Sequence, residues 1–201
     1  MKLDPFYLIV DRASWLPRLL PQGVKLVQLR AKEMEPDQLR REILLAKESC
    51  ARYGAQLVVN DYWQLAIELG CDFVHLGQED LADADVGAIR AAGMRLGIST
   101  HDDAELDTAL AVRPDYVALG PVYPTILKQM RWAPQGLERV SQWKARVGKV
   151  PLVGIGGLTI ERAQGVLSAG ADCVAVVTDV LLNPNPEARA REWVSATRES
   201  A

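Results

Sequence analysis

Short apolar, β-branched runs recur along the chain, separated by longer stretches in which apolar residues return every three or four positions. The runs are Phe6–Val10, Lys25–Leu29, Gln56–Val59, Phe73–Leu76, Arg95–Ile98, Tyr116–Leu119, Leu152–Ile155 and Cys173–Val177. Their length and composition predict strands. Helical spacing fills the gaps: in Asp37–Tyr53 the residues Leu39, Ile43, Ala46 and Cys50 share one face. Helices are also predicted over Asp85–Ala92, Asp102–Val112, Leu137–Val147, Thr159–Ala169 and Pro186–Arg198, with short ones near Ser14–Leu20 and Tyr62–Leu69. Pro186 suits a first helical turn, where its missing N–H costs nothing. Strand and helix alternating in this way predict a parallel sheet with crossover helices.

The repeat count decides between the two parallel-sheet architectures. Eight strand–helix units close naturally into a (β/α)₈ TIM barrel, a compact single domain over residues 1–201, near the lower size limit for that fold. An open doubly wound sheet is the alternative, and it lacks support because no G-x-G-x-x-G follows the first run. A weak internal repeat agrees with the barrel. Asp72, Asp115 and Asp172 each stand immediately before an apolar run, at a helix end and tight turn. Those aspartates read as turn residues at the strand starts.

In a barrel the chemistry sits at the C-terminal strand ends and the loops beyond them. Those positions hold Asp11; Gln28, Arg30 and Lys32; Asn60 and Asp61; His75, Gln78 and Asp80; Ser99 and His101; Thr125 and Lys128; Gly156 and Gly157; and Thr178 and Asp179. The strand starts show nothing comparable. Gln28, Arg30 and Lys32 share parity, so an extended chain points all three to one side. Two cations and an amide converging there suit a pyrophosphate and a polar ring; a solvated strand exit is the bland reading. Asp61 and Asp80 end neighbouring units, and two hard carboxylates with open positions suit Mg²⁺ shared with substrate phosphates. Each could instead cap a following turn. Gly154-Ile155-Gly156-Gly157 leads from a strand into a helix, where free N–H groups can meet a phosphate, beside Val177 and Thr178. The longest loop, Pro121 to Gly136, carries Tyr123, Thr125, Lys128, Arg131, Trp132 and Gln135 and reads as a lid or binding element. His75 and His101 stand alone and read as packed or hydrogen-bonded residues.

Composition excludes several classes. There are 23 Lys and Arg against 26 Asp and Glu, a net charge of −3, so no overall basic field exists for wrapping nucleic acid. No apolar run approaches the roughly 20 residues of a membrane helix, and Phe6–Val10 is too short for a signal-peptide core. Cys50, Cys71 and Cys173 form no C-x-x-C motif and read as buried thiols in a reducing compartment. A cytoplasmic protein is expected.

The ordered motifs Gln28-Leu29-Arg30-Ala31-Lys32, Asn60-Asp61, His75-Leu76-Gly77-Gln78-Glu79-Asp80, Gly97-Ile98-Ser99, Gly120-Pro121-Val122-Tyr123-Pro124-Thr125, Gly154-Ile155-Gly156-Gly157 and Val176-Val177-Thr178 cover essentially the whole chain. In this the sequence resembles the thiamine-phosphate synthase family, (β/α)₈ transferases that join the pyrimidine and thiazole halves of thiamine phosphate. The resemblance implies that Gln28, Leu29, Arg30, Ala31, Lys32, Asn60, Ser99 and Lys128 hold the pyrimidine diphosphate, with Arg30, Lys32, Ser99 and Lys128 serving the reaction. It implies Mg²⁺ on Asp61 and Asp80, and thiazole phosphate on Thr125, Leu127, Gly157, Val177 and Thr178. The implied reaction is dissociative, with pyrophosphate leaving before the thiazole nitrogen attacks. Small molecules are the implied partners, with no nucleic acid and no membrane; a homodimer is compatible with them. Many members carry Thr where this chain has Leu127, and Ser where it has Thr178.

Four rivals share the barrel, and one of them, a Schiff-base aldolase, would want a lysine inside a strand, whereas Lys128 lies well beyond strand 6. A thiazole tautomerase-like isomerase would not need Arg30, Lys32, Asp61 and Asp80 together. A phosphosugar epimerase would want His/Asp metal ligands, and the chain has two histidines. A non-catalytic phosphate-binding barrel would not need the polar strand ends.

Overall fold

The structure, a computed structural model, describes residues 2–125 and 132–198. Eight parallel strands close into one barrel, each paired to the next in sequence and the last to the first. They are β1 (Phe6–Val10), β2 (Leu26–Leu29), β3 (Gln56–Asn60), β4 (Phe73–Leu76), β5 (Arg95–Thr100), β6 (Tyr116–Leu119), β7 (Leu152–Ile155) and β8 (Cys173–Val176). Around them lie α1 (Leu16–Leu19), α2 (Pro36–Tyr53), α3 (Trp63–Glu68), α4 (Gln78–Asp83), α5 (Val86–Ala91), α6 (Asp103–Ala111), α7 (Gly136–Val147), α8 (Ile160–Ser168), α9 (Thr178–Leu181) and α10 (Pro186–Arg198).

Strand parity divides the core in two. Outward residues such as Phe6, Leu8, Val27, Val74, Ile98, Val117 and Val174 pack under the helices in one large cluster. There Trp193 of α10 stacks on Phe6 with ring centres 5.5 Å apart, and buried Trp143 of α7 donates its indole N–H to Thr100 Oγ1 at 2.9 Å. The inward residues Tyr7, Ile9, Leu26, Val58, Phe73, Tyr116, Ala118, Val153, Cys173 and Ala175 form a second cluster inside the barrel. Toward the C-terminal strand ends this filling turns polar, with Gln28, Asn60 and His75 buried in the same wall.

The structure corrects several element boundaries. β3 reaches Asn60 and β5 reaches Thr100, because polar side chains there still lie in ladder register with His75 and Leu119. Two short helices, α4 and α9, stand where only loops are expected from the sequence. Strand 8 therefore ends at Val176, and Thr178 opens a helix instead of closing the strand. Val177 departs to φ −124°, ψ −78°, and its carbonyl accepts from the Val180 and Leu181 N–H groups.

The strand starts are also more polar than the sequence suggests, and their charges are spent on structure. Asp115 accepts from Arg90 and from the Leu96 backbone N–H at 2.6 and 2.8 Å. Asp172 does the same for Lys144 and Leu152 at 2.7 and 2.8 Å. Asp72 accepts from Gln56 and Arg95, and Arg95 lies over the Phe73 ring at 4.5 Å. These pairs close the barrel floor and leave the opposite end for ligands.

Candidate active site

A cavity of about 620 Å³ opens at the C-terminal end of the barrel. Its wall includes Gln28, Arg30 and Lys32 from β2 and the loop after it, Asn60 and Asp61 after β3, and His75, Gln78 and Asp80 around α4. Ser99 and His101, Thr125, Gly156 and Gly157, and Val177 and Thr178 complete the circle. The structure thus gathers into one cavity residues spread across 150 positions of sequence. Leu29 and Ala31 go elsewhere: their parity turns both side chains into the outer apolar cluster, so only their backbone could meet a ligand. Leu127, Lys128 and Arg131 lie outside the described residues.

Asp61 owes its position to backbone geometry. It holds φ +66°, a conformation few residues other than glycine adopt without cost, though Asp tolerates it better than most. Its N–H donates to the His75 carbonyl at 2.9 Å, and its carboxylate meets Lys32 Nζ at 2.5 Å. Asp80, in the first turn of α4, faces it. Burial, the Asp61 charge and a hydrogen bond to Asp61 push the Asp80 carboxyl above its usual range, against the opposing pull of Lys32. Two facing carboxylates that resist joint ionisation are the donor set a hard divalent cation relieves. No group of three or more His, Cys, Asp or Glu ligands is found among the described residues. The pair therefore fits a cation completing its shell with ligand oxygens and water.

Beneath the mouth runs a chain of hydrogen bonds that sequence reasoning missed. Gln28 Nε2 donates to Tyr7 Oη at 2.9 Å, Tyr7 meets Tyr116 Oη at 2.9 Å, Tyr116 meets His75 Nδ1 at 2.7 Å, and His75 Nε2 meets Ser99 Oγ at 2.8 Å. Burial pushes the His75 imidazole down from 6.5 to about 4, with Asp61 opposing and Arg30 adding to the shift. Burial likewise lifts both tyrosines above the usual phenol range. Tyr7 and Tyr116 sit inside apolar runs, and the available signal was their parity, which they share with the inward residues of their strands.

The glycine pair makes room for a neighbouring loop. Gly156 (φ +100°) and Gly157 (φ +62°) pass so close to Pro121–Pro124 that a Cβ on either would strike that segment. Val122 and Tyr123 donate to the Ile155 and Gly156 carbonyls at 2.8 and 3.0 Å. The steric demand and the cavity lining are both served by the same glycines. At the other end of the β6–α7 loop, Trp132 stacks on His101 with centres 4.0 Å apart. Glu105 holds His101 Nδ1 at 2.7 Å, and Gln135 donates to the His101 carbonyl at 2.8 Å.

A closed (β/α)₈ barrel with Arg30, Lys32, Asp61, Asp80, Gly156 and Gly157 around its C-terminal mouth defines a phosphate-handling barrel enzyme. The family model for thiamine monophosphate synthase matches residues 6–180. The chain is 64% identical over 197 residues to the thiamine-phosphate synthase of Rhizobium etli, covering 98% of this chain and 97% of that one. It is 47% identical over 193 residues to the thiamine-phosphate synthase of Citrobacter koseri, covering 96% and 88%. The chain belongs to the thiamine monophosphate synthase family. Its fold is shared with thiamine phosphate pyrophosphorylase from Pyrococcus furiosus, at a TM-score of 0.87 and 24% identity over 98% and 96% of the two chains. It is also shared, more distantly, with 3-hexulose-6-phosphate synthase, at a TM-score of 0.71 and 16% identity over 98% and 99%.

Proposed function

We propose that this protein is a transferase that condenses 4-amino-2-methyl-5-(diphosphooxymethyl)pyrimidine with thiazole phosphate, giving thiamine phosphate and pyrophosphate. The observation that carries this reading is the meeting of Arg30 and Lys32 with Asp61 and Asp80 on one side of a deep polar cavity. That combination suits a diphosphate held jointly by cationic side chains and a metal ion.

Asp61 and Asp80 would hold Mg²⁺, which when bound would neutralise charge on a departing pyrophosphate. Arg30 and Lys32, on the same wall, stabilise the pyrophosphate oxygens as the C–O bond breaks and its electron pair leaves with pyrophosphate. Gln28, Asn60 and Ser99 line the deeper wall and orient the pyrimidine ring, whose electrons stabilise the resulting methylene cation. The thiazole nitrogen lone pair then forms the new C–N bond. Thr125, Gly157, Val177 and Thr178, on the far side of the mouth, hold the thiazole phosphate; Val177 and Thr178 bring backbone N–H groups and a hydroxyl. The Trp132–His101 wall excludes water that would trap the cation. Leu127 and Lys128 keep the roles that the family resemblance implies for them. No helix among the described residues is long and apolar enough to cross a membrane, and three free thiols suit a reducing, cytoplasmic setting.

The test is turnover of the purified protein with both half-substrates and MgCl₂, followed by product and pyrophosphate release. Thiamine phosphate formed only when both halves and Mg²⁺ are present supports the assignment. Conversion of the thiazole phosphate alone, with no pyrophosphate release, would assign an isomerase instead.

A further inference from the structure

The hydrogen-bond chain under the mouth has a fixed donor at one end, Gln28 Nε2. This amide can only donate, so Tyr7 Oη accepts from it at 2.9 Å; Tyr7 and Tyr116 Oη stand 2.9 Å apart, where either hydroxyl can donate, and donation from Tyr7 is the direction that uses its proton within the chain. Continued in that direction, Tyr116 Oη donates to His75 Nδ1, 2.7 Å away, a contact whose donor is set by the imidazole tautomer. A neutral imidazole that accepts at Nδ1 carries its proton on Nε2, which donates to Ser99 Oγ at 2.8 Å. Ser99 lines the cavity, and the proton on its own hydroxyl has been left for whatever binds there.

The packing shows that this arrangement is built. Tyr116 lies within the space of its strand neighbour Gly97, where any Cβ would collide with the phenol ring. The His75 and Tyr116 rings stack with centres 5.5 Å apart and planes 15° apart, while Tyr7 meets Tyr116 edge-on at 5.9 Å. Tyr7, Tyr116 and His75 are all buried. Hydroxyls and a ring held this tightly cannot reorient one at a time without leaving a buried polar atom unpaired.

We propose that Gln28, Tyr7, Tyr116 and His75 form a one-way hydrogen-bond relay that fixes the Ser99 hydroxyl as a donor into the cavity, so that the ring bound there is recognised through an acceptor atom. Resting on the aminopyrimidine reading above, this names the recognised feature as a ring-nitrogen lone pair. An analogue with C–H in place of that nitrogen leaves the Ser99 proton without a partner and is rejected. Tyr7 and Tyr116 act as positioning residues, since they touch Ser99 only through His75.

The chain has two histidines, His75 and His101, so ¹⁵N spectroscopy of histidine-labelled protein can resolve both rings. In the ligand-free wild type at neutral pH, His75 should show a protonated-type Nε2 and an unprotonated-type Nδ1. A proton on Nδ1, or a mixture of tautomers, overturns the relay. Tyr116→Phe should raise the Nδ1–H tautomer and lower kcat/KM for the pyrimidine diphosphate about tenfold, the scale of one lost hydrogen bond, with KM for the thiazole phosphate unchanged. A His75 spectrum identical in wild type and Tyr116→Phe also overturns the relay. The wild-type spectrum needs neither substrate nor variant. A wrong relay therefore shows as the wrong tautomer in an active enzyme, and a wrong substrate assignment as the right tautomer in a protein that turns over neither half.

Discussion

Replacing Gly156 with alanine tests how the two sides of the mouth depend on one another. Its φ is +100°, and an added Cβ would lie 2.7 Å from both Pro121 Cα and Pro121 Cβ and 3.3 Å from the Val122 nitrogen. Ordinary carbon contacts fall at about 3.5–4.0 Å, so the loop must retreat by about 1 Å. That retreat stretches the Val122-to-Ile155 and Tyr123-to-Gly156 hydrogen bonds, now 2.8 and 3.0 Å, and carries Thr125 away from the cavity wall. The positive φ costs alanine about 1–2 kcal/mol, and the overpacking a further 1–3 kcal/mol or so. For a chain of this size the sum lowers Tm by roughly 5–15 °C. A misplacement of about 1 Å in a positioning loop costs on the order of 10²-fold in rate, and it should fall on kcat and on KM for the thiazole phosphate. Binding of the pyrimidine diphosphate, on the opposite wall, should hold. Steady-state kinetics with each substrate varied, together with thermal denaturation, reads both effects. Gly93→Ala is the control: φ is +72° but no atom lies within 4 Å of its Cβ, so it should lose about 1 kcal/mol of stability and no activity. Wild-type thiazole phosphate kinetics in Gly156→Ala would refute the coupling of this turn to the phosphate wall.

Asp61→Ala and Asp80→Ala should each abolish Mg²⁺-dependent turnover while the far-ultraviolet circular dichroism stays native; wild-type rates at limiting Mg²⁺ in Asp80→Ala would remove it from the metal site. His75 should make stability fall with acid. Above pH 6.5 the ring is neutral folded and unfolded, and as pH drops toward about 4 only the unfolded chain takes up the proton. The loss is on the order of 3 kcal/mol over that window, visible in urea unfolding as a slope that His75→Asn flattens. Gly97→Ala should cost about 2–3 kcal/mol by displacing Tyr116, lowering Tm by several degrees, and a Tm equal to wild type would show that the Tyr116 ring is loosely held.

The barrel was legible because each strand is buried on both faces and so reads as an apolar run, and because polar residues mark only its C-terminal exit. Arg30, Lys32, Asn60, Asp61, His75 and Ser99 were found by that rule and do line one cavity. The rule fails where a residue's side chain and backbone face different ways. Leu29 and Ala31 sit between the site residues in sequence, yet parity buries their side chains under the helices. It fails also for groups buried within strands: Tyr7 and Tyr116 look like core residues, and only the closed geometry brings the Tyr116 hydroxyl to His75 and the Tyr7 hydroxyl to Tyr116 and Gln28. α4 and α9 escaped notice because neither is long enough to show helical periodicity; each is set by the chain turning over the barrel rim. The aspartates before the strands read as turn residues, while their cationic partners arrive from neighbouring helices and strands, a pairing that only the closed barrel shows.

On the proposed function, the mouth takes up a diphosphate through Arg30, Lys32 and a metal held by Asp61 and Asp80. Calorimetric titration of inorganic pyrophosphate into the protein, with and without MgCl₂, tests it without requiring turnover. Binding that needs Mg²⁺, falls at least tenfold in Lys32→Ala and disappears in Asp61→Asn is the expected result, since each removes a charge-assisted contact worth about 1.5–3 kcal/mol. Pyrophosphate binding that is equal without the metal and indifferent to Asp61→Asn would contradict the account.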